Sequence, residues 1–266
     1  MIKQCCLALM LLADGGSTLA VAADKVAYDP EFAQASLQQL NSALARLEPQ
    51  SPLTTEVALT SAHNAGEDED MISRTGRARA IVKDSDEGLS LSYSGELLQQ
   101  MTREAQERAD DPDAATPTLD GVDELTLPTV QPMLRAAAAI RQELQTAEYL
   151  GAEEDSYQGK RARRLEFNLS DERLTKRQRK YVKEYDGSYT VWIDEQGNPL
   201  ASRTRMSARG RAFIVISFTI TIESDSHYRV HDDRLITTRR ADYQLSSGAG
   251  ERSERLVNKT LEVIDE

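Results

Sequence analysis

Cysteine is confined to Cys5 and Cys6, so from residue 7 onward the chain carries no thiol. That excludes a disulfide framework, a thiolate nucleophile and a cysteine-ligated zinc site from nearly its whole length. Histidine is almost as scarce, with His63, His227 and His231 the entire supply. His227 and His231 stand four residues apart, which in an extended strand is about 13 Å, too far to share one metal ion or one proton relay. The acidic run Glu67-Asp68-Glu69-Asp70 lacks the alternating spacing of a calcium loop and reads as a solvated charge run. G-x-S-x-G, H-E-x-x-H, a Walker loop and G-x-G-x-x-G are all missing. No catalytic residue, metal ligand or cofactor is assigned, and an enzyme is not expected. Long apolar runs are missing too: nothing approaches the roughly 20 residues of a membrane-spanning helix.

The apolar run that does exist, residues 5–13, follows Lys3 and is succeeded by Asp14-Gly15-Gly16-Ser17 and then Ala20-Val21-Ala22. A basic start, a short apolar middle and a small-residue cleavage site are the three parts of an export signal. Residues 1–22 are read as that signal and residues 23–266 as a single α+β domain, periplasmic and not membrane-spanning once cleaved. Losing Lys3 and Asp14 together leaves the formal net charge at -12. With no disulfide, stability must come from packing.

The stretch that any core must bury is residues 211–223, R-A-F-I-V-I-S-F-T-I-T-I-E. Read as one central strand, it puts Ile214, Ile216, Phe218, Ile220 and Ile222 on a single apolar face, because successive strand side chains point to opposite sides. The other face turns polar after Val215, as in an antiparallel sheet with one wet side. Upstream, Asp29-Pro30 opens a helix in which Ala33, Leu37, Leu40, Leu44 and Leu47 form an apolar stripe. A strand is expected at 53–61, and a hairpin joins 74–82 to 89–93 across Asp84-Ser85-Asp86-Glu87-Gly88. Leu97, Leu98, Met101 and Ala105 suggest a second helix, residues 109–126 a linker, and Val130 to Leu144 a third helix. From Tyr149 the pattern is of strands, with hairpin turns expected at Asp186-Gly187, Gly197-Asn198-Pro199 and His231-Asp232-Asp233.

Charge is unevenly spread. Residues 1–159 carry a net charge of -16 and residues 160–211 one of +7, so one segment opposes the acidity of the rest. Its densest part includes Arg177, Arg179 and Lys180, which are read as lying on strands beside Tyr181 and Tyr185. In an exported protein such a patch meets anionic lipid headgroups or an acidic envelope partner rather than nucleic acid; equally, it blunts strand edges against aggregation.

Two segments carry a family resemblance: Tyr157-Gln158-Gly159-Lys160 leading to Leu165-Glu166-Phe167, and Tyr189-Thr190-Val191-Trp192-Ile193-Asp194 leading to Gly197-Asn198-Pro199-Leu200. With the order of elements, a helix, a strand, a hairpin, inserted helices and a long meander, they make the chain resemble the periplasmic lipoprotein-carrier superfamily of half-barrel proteins. It is also similar to uncharacterised exported Gram-negative proteins. The resemblance implies a strongly curved antiparallel sheet wrapped around two or three helices, whose concave face admits a lipid or lipoprotein. The expected ligand-binding residues are Ile214, Ile216, Phe218, Ile220 and Ile222. The alternative is a structural or sensory envelope protein with a packed core and no ligand.

Overall fold

The structure, a computed structural model, describes residues 28–48, 51–67, 70–212 and 216–264. The expected export signal and its cleavage site lie outside them, as does Ile214; the side chains of Ala212 and Ile216 are also outside the description. The fold is α+β. Ten strands form one open antiparallel sheet, ordered β3-β2-β1-β10-β9-β8-β7-β6-β5-β4. They are β1 (Leu53–Gly66), β2 (Ile72–Ser85), β3 (Gly88–Ser92), β4 (Ala147–Tyr157), β5 (Lys160–Leu169), β6 (Val182–Ile193), β7 (Pro199–Ala212), β8 (Ile216–His231), β9 (Arg234–Gly248) and β10 (Glu251–Val263). The helices are α1 (Pro30–Arg46), α2 (Gly95–Asp110), α3 (Pro117–Glu124), α4 (Leu127–Leu134), α5 (Ala136–Leu144) and α6 (Lys176–Tyr181).

Helix packing reveals the curvature of the sheet. Neighbouring strands lie about 4.8 Å apart, so β9 and β4, five places apart, would be separated by about 24 Å in a flat sheet. Yet α5, whose nine residues span only about 13.5 Å, touches both. Leu235 of β9, Ala152 of β4 and Ile140 of α5 also share one buried cluster. The sheet must therefore curl around the helices. α1 closes the β4–β5 end: Asp29 accepts from the Glu31 and Phe32 amides as its cap, and the Tyr149 hydroxyl donates to the Ala33 carbonyl at 2.7 Å. Leu40 and Leu44 of α1, and Leu165, Val191 and Ile193 on the strands beneath it, are completely buried. α4 closes the other end over Val57 and Val82, and both of these are equally dry.

Two polar contacts brace the packed end. Asp84 takes hydrogen bonds from Arg135 and from Arg234, whose guanidinium is 2% exposed and also donates to the Ser51 carbonyl. Burial pushes the Asp84 carboxyl up, and the two guanidinium contacts outweigh it, holding the group below its ordinary value. α3 lies directly on β2, and Gly121 permits it: a Cβ there would meet the Arg77 backbone at 2.3 Å.

Several expectations are corrected. Residues 211–223 are not one strand, because Ala212 pairs with Ile216 and the chain reverses between them. No Gly, Pro, Asn or Asp marks that reversal, and the apolar alternation runs straight through it. Asp186-Gly187 is not a turn but the middle of β6, opposite Ser207 and Met206; Gly187 leaves room for Leu169, whose carbonyl oxygen would lie 2.8 Å from an added Cβ. The supposed linker contains α3, and the expected third helix is two, α4 and α5, divided at Arg135. Arg177, Arg179 and Lys180 lie on α6, not on strands. The described residues hold six α-helices in place of the two or three expected.

Candidate functional site

On the concave side the direct pairings Gly210↔Phe218, Ala208↔Ile220 and Met206↔Ile222 put these residues on one face of β7 and β8. Continuing the register places Ser202 and Ser224, then Val191 and Tyr189, on that face as well. It is the same face that α1, α4 and α5 bury elsewhere, but over β7 and β8 the cover changes. Here the covering segment is Leu174 followed by the six-residue α6, which has no buried residue of its own. Met206, Phe218, Ile220 and Ile222 stay half-buried. Between α6 and the sheet is a cavity of about 230 Å³ walled by Phe218, Ile220, Ile222, Met206 and Tyr185 from the strands. Leu174, Gln178, Tyr181, Val182, Ser207 and Ala208 complete it.

The sequence expectation and the cavity lining overlap in three residues. Phe218, Ile220 and Ile222 stand together in the cavity wall, while Ile214 and the Ile216 side chain lie outside the description. Leu174, Gln178, Tyr181, Tyr185 and Met206 went unrecognised. A signal for the covering segment was present: Thr175 and Gln178 form a capping box, Thr175 accepting from the Gln178 amide and Gln178 reaching back to the Thr175 amide. Arg177, Arg179 and Lys180 share the helix with Gln178 and Tyr181 but are exposed. Cations and cavity wall thus belong to one short element.

A second cavity, of about 350 Å³, adjoins the first at Ile222 and runs under α4. Its wall is polar where β9 and β10 supply it. Asp242 accepts from Ser224 Oγ at 2.7 Å and from Arg240 Nε at 2.9 and 3.0 Å, and Lys259 Nζ stands 3.9 Å from it. Burial pushes the Asp242 carboxyl up, but Arg240 prevails and holds it below its usual value; burial pushes the Lys259 ammonium down, with Asp242 opposing. On the opposite, outer face Tyr157 hydrogen-bonds His227 Nδ1, and Trp192 Nε1 donates to Asp155 at 2.9 Å. Among the described residues no group of three His, Asp or Glu is placed to hold a metal ion, and no helix is long and apolar enough to cross a membrane.

No family model and no curated protein matches the chain. Among solved structures the chain is similar to a DUF1329 family protein from Desulfovibrio piger, at 9% identity and a TM-score of 0.33, over 87% of this chain and 93% of that one. It is also similar to a LolA superfamily protein from Nitrosomonas europaea, at 11% identity and a TM-score of 0.26, over 88% of this chain and 94% of that one.

Proposed function

We propose that this is an exported periplasmic binding module that holds a hydrophobic or amphiphilic ligand, of lipid or lipoprotein type, against the concave face of its sheet. The observation that carries the reading is the cavity under α6. Its wall is built from Phe218, Ile220, Ile222, Met206 and Leu174, apolar side chains that would gain by leaving water. Complete burial of one such side chain is worth about 1.5–3 kcal/mol, and the half-buried state forgoes part of that. A hydrocarbon chain lying along β8 recovers it. Gln178, exposed, and Tyr181 on α6 suit an amphiphile with its polar end toward solvent.

The exposed Arg177, Arg179 and Lys180 fit the same role. A cationic helix at the mouth would bring the cavity against an anionic membrane surface or an acidic envelope protein, where such a ligand is taken up or delivered. The test is titration of the folded protein with an apolar fluorescent probe, together with mass spectrometry of organic extracts from protein purified from its native envelope. Saturable probe binding, displaced by the extracted lipid, is expected. A folded protein that binds no probe and carries no lipid would reject the reading in favour of an envelope interaction protein with no ligand.

A further inference from the structure

Resting on that reading, we infer that the second cavity is an anion subsite, in which Lys259 and Arg240, with Arg255 at the rim, hold the acidic headgroup of a single-chain amphiphile whose tail lies in the apolar cavity. Ile222 is a wall of both cavities, so a ligand that passes it meets hydrocarbon on one side and cations on the other. Lys259 carries the argument furthest. It is 6% exposed and sits on the concave face between Val257 and Leu261, both almost completely buried. For a buried ammonium it is poorly partnered: the Asp242 carboxylate is 3.9 Å away, beyond hydrogen-bond reach, and is already engaged by Arg240 and Ser224.

The missing hydrogen-bond partner supports an anion. The cations at this cavity are Arg240, Arg255 and Lys259; the carboxylates acting on them are Asp242, Glu124, bound to Arg255 at 2.6 and 3.2 Å, and Glu143, which acts on Arg240. Of the three cations Lys259 is the buried one, and its carboxylate neighbour stands beyond hydrogen-bond reach. Charged groups in such places are ordinarily paired, and a carboxylate or phosphate is the complement, taking charge-assisted hydrogen bonds from ammonium and guanidinium together. Asp242 fixes Arg240 in place.

The experiment compares three ligands of equal chain length, hexadecanol, palmitate and hexadecyl phosphate, by displacement of the apolar probe from wild-type protein, Lys259→Met and Arg255→Gln. Wild type should prefer the anionic ligands by about tenfold or more, the scale of one charge-assisted contact. Lys259→Met should reduce that preference to about twofold or less while hexadecanol binds as before. The order of palmitate and hexadecyl phosphate tells a carboxylate from a phosphate ligand. Equal binding of all three by wild type would overturn the anion subsite and leave the apolar cavity standing. Probe binding with displacement by none would overturn this single-chain ligand without touching the cavity, and absence of probe binding would remove both. A preference undiminished in Lys259→Met and Arg255→Gln would overturn the assignment to these residues. Should Lys259→Met fail to fold, the wild-type comparison and the half-exposed Arg255 decide alone.

Discussion

The two ends of the concave face and its middle are made of the same material and behave differently. At the ends, Leu165, Val191 and Ile193 under α1 and α5, and Val57 and Val82 near α4, are completely excluded from water. In the middle, Met206, Phe218, Ile220 and Ile222 continue the alternation with side chains as apolar and as large, yet they stay half-buried. The strands do not account for the contrast; the covers do. α1 is 17 residues long and buries Ala33, Leu40, Ala43 and Leu44, whereas α6 has six residues, four of them Lys or Arg, and buries none. The apolar face of the middle thus lacks the cover that the ends have.

The sharpest way to break the comparison is to cut the same kind of hole in both places. Leu165→Ala, in the packed end, should cost about 2–5 kcal/mol, since lost transfer energy and an unrelaxed cavity add. Probe affinity should not change. Denaturant unfolding and probe titration on the same preparation check both, and a loss under 1 kcal/mol would mean that the end is no better packed than the middle.

The covers themselves can be tested next. Thr116, at the start of α3, makes no side-chain cap; instead Glu104 of α2, 1% exposed, accepts from the Thr118 and Leu119 amides at 2.8 and 3.0 Å. Glu104→Ala strands both donors and should cost about 1–3 kcal/mol. Burial pushes the Glu104 carboxyl up, and its hydrogen bonds more than compensate, holding it below its ordinary value. A carboxylate so depressed gives stability that is complete above its unfolded value and is lost as pH falls through the folded one. Glu104→Gln should accordingly flatten the acid limb of the stability curve, and an unchanged limb would remove Glu104 as the cap.

Phe218→Ala probes the middle. A fully packed Phe would cost about 3–5 kcal/mol on truncation. Half-buried against a cavity, Phe218 should cost about 1–2 kcal/mol and should weaken or reshape probe binding. A loss as large as that of Leu165→Ala, with no probe bound by wild type, would make the middle another packed region.

What the sequence disclosed and what it hid divide along local and distant causes. Asp29-Pro30 and the stripe from Ala33 to Leu47 act within one helix, and α1 was legible to within a residue or so. The β2–β3 hairpin and the turn after Val230 carry their own turn residues, and they too were read correctly. α3 was hidden because its cap lies 14 residues upstream, in another helix. The reversal after Ala212 was hidden because a strand-like alternation crosses it, yet the face assignment of Phe218, Ile220 and Ile222 survived, since parity depends only on neighbours within β8. Most of the cavity wall escaped because residues such as Leu174, Tyr181 and Tyr185 reach it through the path of the chain, which spacing does not encode. Lys259 stands two residues from both Val257 and Leu261 in the sequence, but its neighbours Arg240 and Asp242 come from β9 by register alone.

The smallest effect on stability should come from the cover of the middle. Arg177, Arg179 and Lys180 are exposed, and replacing all three with Gln on a surface helix should move the unfolding free energy by no more than about 0.5 kcal/mol. Their effect should appear in association. Together with Lys176 they put four charges on six residues, a local positive field that would attract an anionic bilayer, and such attraction between exposed charges is screened over about 8 Å at physiological ionic strength. Wild-type protein should co-sediment with anionic vesicles at low salt, release them as salt rises, and ignore zwitterionic vesicles. The triple variant should not co-sediment, while its probe affinity stays at the wild-type value because Gln178 and Tyr181 are untouched. Co-sedimentation that survives in the triple variant would assign the cations to the protection of a strand edge and leave the cavity without a membrane-facing mouth.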